Sequence, residues 1–189
     1  MIVQKVAPTQ TDIDEILSLE DAKRFIKVIG TDDDEDITSF ISSAITEAED
    51  ITNTQFANAT YELYLENFPG ENFSFPKNPI SEIVSIEYMD LNGDYVVLDE
   101  TSYYLYTKYD VGHIVFNSPP NVQIKWHKRA IRITFKSGFG SSFPSDLRQW
   151  LKVRVSTLFE YREELTAGVS ISKNNHVDSI LNRYKIRSF

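Results

Sequence analysis

The chain has 189 residues, no cysteine and a formal net charge of −9, with 41% apolar and 25% charged residues. That suits one ordinary soluble domain or two small ones, and it excludes a disulfide framework and a thiolate metal site. No apolar run approaches the ~18 residues of a membrane span, and the opening MIVQKVAPTQTDIDE lacks the apolar centre of a signal peptide, so neither is expected.

The charge is unevenly spread. Residues 1–60 carry four basic and thirteen acidic side chains, residues 61–140 seven and ten, and residues 141–189 eight and five, or −9, −3 and +3. An acidic solvated surface is one reading. A polarised subunit whose ends meet different partners is the other. No stripe is basic enough for high-affinity binding to a nucleic-acid backbone.

In chain order, residues 1–17 read as a mobile lead-in, with Pro8 and a polar TQTD run. Ser18 reads as an N-cap with Asp21 as its capping-box partner. The helix LEDAKRFIKVI follows, with Leu19, Ala22, Phe25, Ile26 and Ile29 on one face and Gly30 at the C′ position. The run Asp32, Asp33, Asp34, Glu35, Asp36 resembles a calcium loop only in its acids. Position six is Ile37 where such a loop needs glycine, and position twelve is Ser43 where it needs glutamate. Acids at a helix N-terminus are favoured by the helix dipole. The helix they open carries Ile37, Phe40, Ile41, Ala44, Ile45, Ala48 and Ile51 at helical spacing and is expected to end near Asn53.

From Thr60 the pattern alternates. YELYLENF, FSFP, SEIVSIEYMD, DYVVLDE, SYYLYTK, GHIVFN and AIRITFKSG read as strands, with a type I′ turn at Leu91-Asn92-Gly93-Asp94 and breaks at Phe75-Pro76 and Ser118-Pro119-Pro120. The spacing suggests a small sandwich or half-barrel. Tyr61, Tyr64, Tyr88, Tyr95, Tyr103, Tyr104, Tyr106 and Tyr109 fall here. Tyr103 and Tyr104 are adjacent and should face opposite sides of their strand. Such residues are ordinary strand formers, but an exposed aromatic face would suit a glycan or a protein. His113, His127 and His176 are too far apart for a local metal pair. Gly138-Phe139-Gly140-Ser141-Ser142-Phe143 follows a strand and opens a helix, yet Phe143 stands where a dinucleotide-binding turn needs its third glycine. No nucleophile–base–orienter set can be named.

The strongest helix signal is residues 142–165, SFPSDLRQWLKVRVSTLFEYREEL. Pro144 is tolerated in a first turn, Ser142 and Ser145 are candidate caps, and Asp146 complements the dipole. Leu147, Leu151, Val155, Leu158 and Phe159 form the apolar face with Trp150 on its flank, and Arg148, Lys152, Arg162 and Glu163 fall away from it. This stripe is expected to pack against the N-terminal helices. A polar loop over 167–175, a short helix over 176–184 and a basic, aromatic tail close the chain. The expected fold is α+β: a helical bundle from residues 1–57 and 141–189, with an antiparallel β insert over 58–140.

Five segments taken in order carry a resemblance. They are LSLEDAKRFIKVIGTDDDEDITSFISSAITEAEDIT, ATYELYLENFP, FPKNPISEIVSIEYMDLNGDY, FPSDLRQWLKVRVSTLFEYREEL and SILNRYKIRSF. Their order and spacing over residues 18–187 resemble the head–tail connector (adaptor, or head-completion) proteins of tailed phages and prophages. The resemblance implies a structural, non-enzymatic virion subunit without cofactors, assembled in the host cytoplasm. It implies a ring of about twelve copies on the portal, extending the DNA channel and carrying the tail-completion or stopper protein. Double-stranded DNA would pass without sequence-specific binding. On that reading Asp32, Asp33, Asp34, Glu35 and Asp36 would line an acidic channel wall. Arg183, Tyr184, Lys185, Arg187 and Phe189 would dock on the portal or a neighbour. A glycan- or protein-binding β-sandwich module, or another tail-completion or baseplate protein, is the alternative.

Overall fold

The apolar rows of the sequence become five helices and seven strands among the residues described in the computed structural model, namely 1–70, 73–108, 111–161 and 175–186. They fall into two compact units. One comprises Thr9–Ala57 and Phe139–Phe189, the other Met1–Pro8 and Asn58–Gly138.

The first unit is helical: α1 (Gln10–Ile16), α2 (Leu19–Ile26), α3 (Asp34–Thr52), α4 (Ser145–Glu160) and α5 (Asn175–Tyr184). Residues 1–17 are not the lead-in expected of them. Residues 2–6 form a strand of the other unit, and α1 is started by a reciprocal capping box. The Asp12 amide donates to the Thr9 hydroxyl at 3.3 Å, and the Thr9 amide donates to Asp12 at 2.8 Å, satisfying donors the helix cannot. α1 ends on Ile16 and Leu17, both buried in the helical core.

Ser18 caps α2, accepting from the Asp21 amide at 3.2 Å, but Asp21 does not complete a capping box, and its carboxylate accepts from Arg24 at 3.0 Å. The far end differs. Lys27 adopts φ 60° and closes the helix after Ile26, whereas Gly30 (φ 96°) lies in the loop beyond. The shortened helix leaves Phe25 and Ile29 on the surface instead of on the buried face. α3 ends at Thr52 with Asn53 in the left-handed region, close to the expected boundary. Ile37, Ile41, Ala44, Ile45 and Ala48 are buried, while Ile51 is exposed.

In α4, Pro144 occupies the cap position itself (φ −60°, ψ 136°), and no side chain caps the helix, so neither expected serine does so. Arg162, Glu163 and the stretch to 165 lie outside the described residues. Leu147, Leu151 and Val155 are fully buried, and Leu158 and Phe159 are half-buried against the same cluster. Trp150 is only 3% exposed and belongs to the core, not to the flank. The cluster joins these side chains to Ala22, to the α3 row, to Phe56 and to Leu181 of α5. Residues from both ends of the sequence therefore share one apolar interior. Each fully buried leucine or valine there is worth about 1.5–3 kcal/mol relative to exposure.

One carboxylate organises the turn after α3. Glu49 Oε1 accepts from the Phe56 amide (2.6 Å), the Ala57 amide (3.2 Å) and Gln55 Nε2 (2.8 Å). The turn seats Phe56 edge-on against Phe143 and Phe139, at centroid distances of 5.3 and 5.9 Å.

The second unit is β-rich. β1 (Ile2–Val6), β2 (Ala59–Leu65), β3 (Ile80–Met89), β4 (Tyr95–Val97) and β7 (Ile131–Ser137) form an antiparallel sheet of order β1-β2-β7-β3-β4. β5 (Tyr103–Lys108) and β6 (Val111–Phe116) form a separate hairpin. Where the alternation suggested a small sandwich or half-barrel, the structure has this five-stranded sheet and a two-stranded one sharing an apolar cluster. Tyr61, Leu63, Ile86, Ile131, Ile133 and Phe135 come from the sheet, Tyr103 and Ile114 from the hairpin. The FSFP segment, expected as a strand, is irregular; its Phe75 sits in the cluster, 4.7 Å from Phe135 by ring centroid.

The turn after β3 is not type I′. The Gly93 amide donates to the Asp90 carbonyl at 3.0 Å, the Asp90 amide donates to the Asp94 carbonyl at 2.9 Å, and Gly93 alone of the central residues has positive φ. This is the three-residue loop, in which a type I turn is followed by a left-handed glycine. The Asp90 side chain, accepting from the Gly93 and Asp94 amides, favours it.

Gly138, at the end of β7, has φ 140°, and a Cβ there would fall 2.8 Å from Asn58 Cα. Strain and clash add at this position, so Gly138→Ala is expected to lower stability more than Gly30→Ala, which meets no atom within 4 Å and incurs strain alone. Leu151→Ala should remove about 2–5 kcal/mol through the cavity it leaves. Urea unfolding of the three variants against the parent checks the ordering and the magnitude.

Candidate functional site

The acidic run lies at the start of α3. Asp32 precedes the helix, Asp33 is at its N-cap position and Asp34, Glu35 and Asp36 fill its first turn. Positive partial charge at a helix N-terminus favours this placement. Asp32, Glu35 and Asp36 are exposed, and Asp33 and Asp34 are half-buried. Lys23 of α2 reaches across, donating to the Gly30 carbonyl and pairing with Asp34, so the loop between the helices is tied at both ends.

The C-terminal residues are placed by different contacts. The Tyr184 hydroxyl donates to Asp146 at 2.7 Å, and the Thr54 hydroxyl donates to the Tyr184 carbonyl at 2.9 Å. Arg183 lies 3.6 Å from the other Asp146 oxygen, and the Ile186 amide donates to the Thr52 carbonyl at 2.9 Å. Tyr184 thus fastens α5 to α3 and α4 within the helical unit, while Lys185 faces water. Arg187 and Phe189 lie outside the described residues. The structure does not bring Asp32–Asp36 and Arg183–Lys185 together as one site. The former open α3, the latter close α5 beside the opposite end of α3.

The sheet of the β unit carries a ladder of paired charges. Lys5 of β1 meets Glu62 of β2 at 3.2 Å. Arg132 of β7 donates through Nε to Glu87 of β3 at 2.6 Å and lies 4.2 Å over the Tyr95 ring. Lys136 meets Glu82 at 2.8 Å. The Tyr64 hydroxyl donates to Glu62 at 2.6 Å. That bond and Lys5 hold the Glu62 carboxyl below the usual carboxylate range, against the opposing effect of burial. The same bond raises the Tyr64 phenol above its ordinary value.

Tyr103 points into the core and Tyr104 out of it, as adjacent strand residues must, and Tyr106 shares the outer side. A groove of about 770 Å³ beside the hairpin is lined by Phe68, Tyr106, His113, Phe116, Pro119 and Pro120. His113 Nδ1 lies 2.8 Å from the Phe73 carbonyl oxygen, so the imidazole has a structural partner. Among the described residues no group of three or more His, Asp or Glu is placed to hold a metal ion. A feature passed over in the sequence is the segment Lys125-Trp126-His127-Lys128-Arg129, which is exposed throughout. Its signal was an aromatic residue inside a short basic run.

These features define a protein of mixed α/β architecture in which many of the described polar groups cap helices, pair across the sheet or face solvent, while Tyr103 Oη and Trp150 Nε1 are buried without a hydrogen-bond partner. The sequence matches the head completion protein family over residues 15–186, and the chain belongs to that family. Its fold is also that of chains in gene transfer agent (GTA) particles. It is similar to a chain of the native GTA virion, with a TM-score of 0.76, 18% identity, and coverage of 100% of this chain and 97% of that one. Chains in the neck of the empty particle, computed with C6 symmetry, and of the native particle, computed with C12 symmetry, give TM-scores of 0.73 and 0.72 at 17% identity, with the same coverage. Comparison with curated proteins finds no match.

The Glu62–Tyr64 pair sets a pH dependence. A carboxylate depressed in the folded state contributes stability above its unfolded value, and that contribution is lost as pH falls through the folded value. Tyr64→Phe is therefore expected to lower stability at neutral pH and to flatten the loss of stability on acidification. Urea midpoints measured from about pH 3 to pH 7 report it.

Proposed function

We propose that this chain is a head–tail connector subunit: a structural, non-catalytic ring component that sits beneath the portal, extends the DNA channel and presents a platform for the tail-completion protein. The observation that carries this reading is the family match, which spans residues of both units from 15 to 186. The similarity in fold to chains from GTA necks, whose reconstructions have six- and twelvefold symmetry, supports a ring of about twelve copies. The helical unit serves as the connector core, and most of the β unit is an insert in its sequence. The protein works in the virion and assembles in the host cytoplasm.

The exposed acids Asp32, Glu35 and Asp36, with Asp33 and Asp34 behind them, form the channel wall in this proposal. Carboxylates repel phosphate, so DNA slides past without adhering. The chain beyond Tyr184, with Lys185, Arg187 and Phe189, docks on an acidic neighbour such as the portal, Arg183 beside it. Tyr184 acts indirectly, because its hydroxyl is already bonded to Asp146.

Electron microscopy of the purified protein mixed with portal-bearing heads is the direct test. A ring on the portal is expected; heads that remain bare overturn the reading. Lys185→Glu with Arg187→Glu leaves the Tyr184 fastening intact, so it should abolish head completion while thermal melting stays unchanged. Neutralising Asp32, Asp33, Glu35 and Asp36 together should impair DNA retention or ejection, measured as packaged DNA per particle and infectivity. Asp34 is kept in that variant because it pairs with Lys23.

A further inference from the structure

The two most exposed large apolar side chains among the described residues are Ile29 (98%) and Trp126 (94%). Neither contributes to its own unit's core, yet each is displayed by a fastened loop. Ile29 stands between α2 and α3, where Lys27 is left-handed and Lys23 holds both Gly30 and Asp34. Trp126 stands between β6 and β7. On one side the Lys125 amide donates to the Met89 carbonyl at 3.0 Å. On the other the Met89 amide donates to the Ala130 carbonyl at 2.7 Å, and the Tyr95 hydroxyl donates to the Arg129 carbonyl at 2.6 Å. Ile124, just before it, packs on the β core.

The charged rims of these two apolar points are opposite. Residues 27–36 contain Lys27 and five acids, a local charge of −4, with Asp32, Glu35 and Asp36 exposed. Residues 125–129 contain Lys125, Lys128 and Arg129, a local charge of +3 with His127 neutral, and all of them are exposed. An apolar centre inside a polar rim is the anatomy of a protein interface, and tryptophan and arginine are the side chains that most often dominate its energy. Charge complementarity steers the encounter and fixes the register. A subunit that carries two different, mutually complementary patches associates head to tail, and such contacts close into a ring when the rotation allows.

We infer that the Trp126 loop of one copy docks on the Ile29 loop of the next copy, with the indole against the isoleucine and Lys125 and Lys128 facing Asp32 and Glu35. This contact rests on the connector reading, for which it supplies the link between neighbouring subunits, and it assigns Asp32 and Glu35 to that link in place of the channel wall, which is left to Asp33, Asp34 and Asp36.

The test places a photoreactive benzoylphenylalanine at position 126 in the full chain, assembled on portal-bearing heads. After irradiation, mass spectrometry of the cross-linked peptides should find residues 27–36 of a second copy. A cross-link to DNA, to the portal or to a different segment overturns the contact. In parallel, the Lys125→Glu/Lys128→Glu chain and the Asp32→Lys/Glu35→Lys chain should each lower ring incorporation at least tenfold. A chain carrying all four reversals should recover it. All these positions are on the surface, and unchanged thermal melting verifies that each variant folds. Trp126→Ala rings that form as well as the parent also overturn the contact. Normal rings without the cross-link sink this inference alone, whereas a chain that never joins the portal sinks the connector reading and the contact with it.

Discussion

The apolar row of α4 has to leave water, and what receives it is set down almost a hundred residues earlier. Leu147, Leu151 and Val155 share their interior with Ile37, Ile41, Ala44, Ile45 and Ala48 of α3. Ala44 and Ala48 are fully buried in that interior, where small side chains allow helices a close approach. Other elements of the helical unit attach to this pair. α2 contributes Ala22 and α5 contributes Leu181. α1 is tied by Arg148 of α4, whose guanidinium donates to the Ile16 and Glu15 carbonyls at 2.7 and 3.0 Å. Those carbonyls stand at a helix end and have no intrahelical partner, so the cation also matches the local dipole.

Carboxylates are used in three distinct ways, set by the partners that each one meets. Glu49, half-buried, accepts three hydrogen bonds and shapes the turn that seats Phe56. Glu62 and Glu87 are paired across strands, where a charge flanked by an opposite charge or a hydroxyl donor is tolerated near the core. The acids at the start of α3 are half-buried or exposed, with Asp34 paired to Lys23, and stand where the helix dipole favours negative charge. The strongly negative net charge is therefore not one property. Part of it is internal scaffolding, and part of it is surface.

Much of this was legible in the residues. The α3 and α4 stripes recur at helical spacing over several turns, and most of the alternating stretches are strands, because long periodic signals survive local irregularity. Tyr103 and Tyr104 divide between core and solvent as the pleat requires. Local turn chemistry was harder. Nothing in the composition of residues 19–29 announces that Lys27 rather than Gly30 will take the left-handed conformation, and that one residue decides whether Ile29 is core or surface. The Asn-Gly pair pointed to a two-residue turn, but the Asp90 side chain stabilises the longer one. The first strand was hidden because five residues are too few to show a period. Trp126 illustrates the remaining limit: the sequence shows an aromatic among bases, and only the surrounding packing reveals that the ring is not covered.

Because the helical interior draws on both ends of the polypeptide, synthesis on a ribosome delivers the two units on different schedules. The β unit possesses all of its strands once residue 138 has emerged, while the helical cluster still lacks α4 and waits for Leu181. Until then, Ile37, Ile41 and Ile45 present an uncovered apolar row on the nascent chain. The row must be shielded, by a chaperone or by transient self-contact, for as long as it takes to translate the intervening strands.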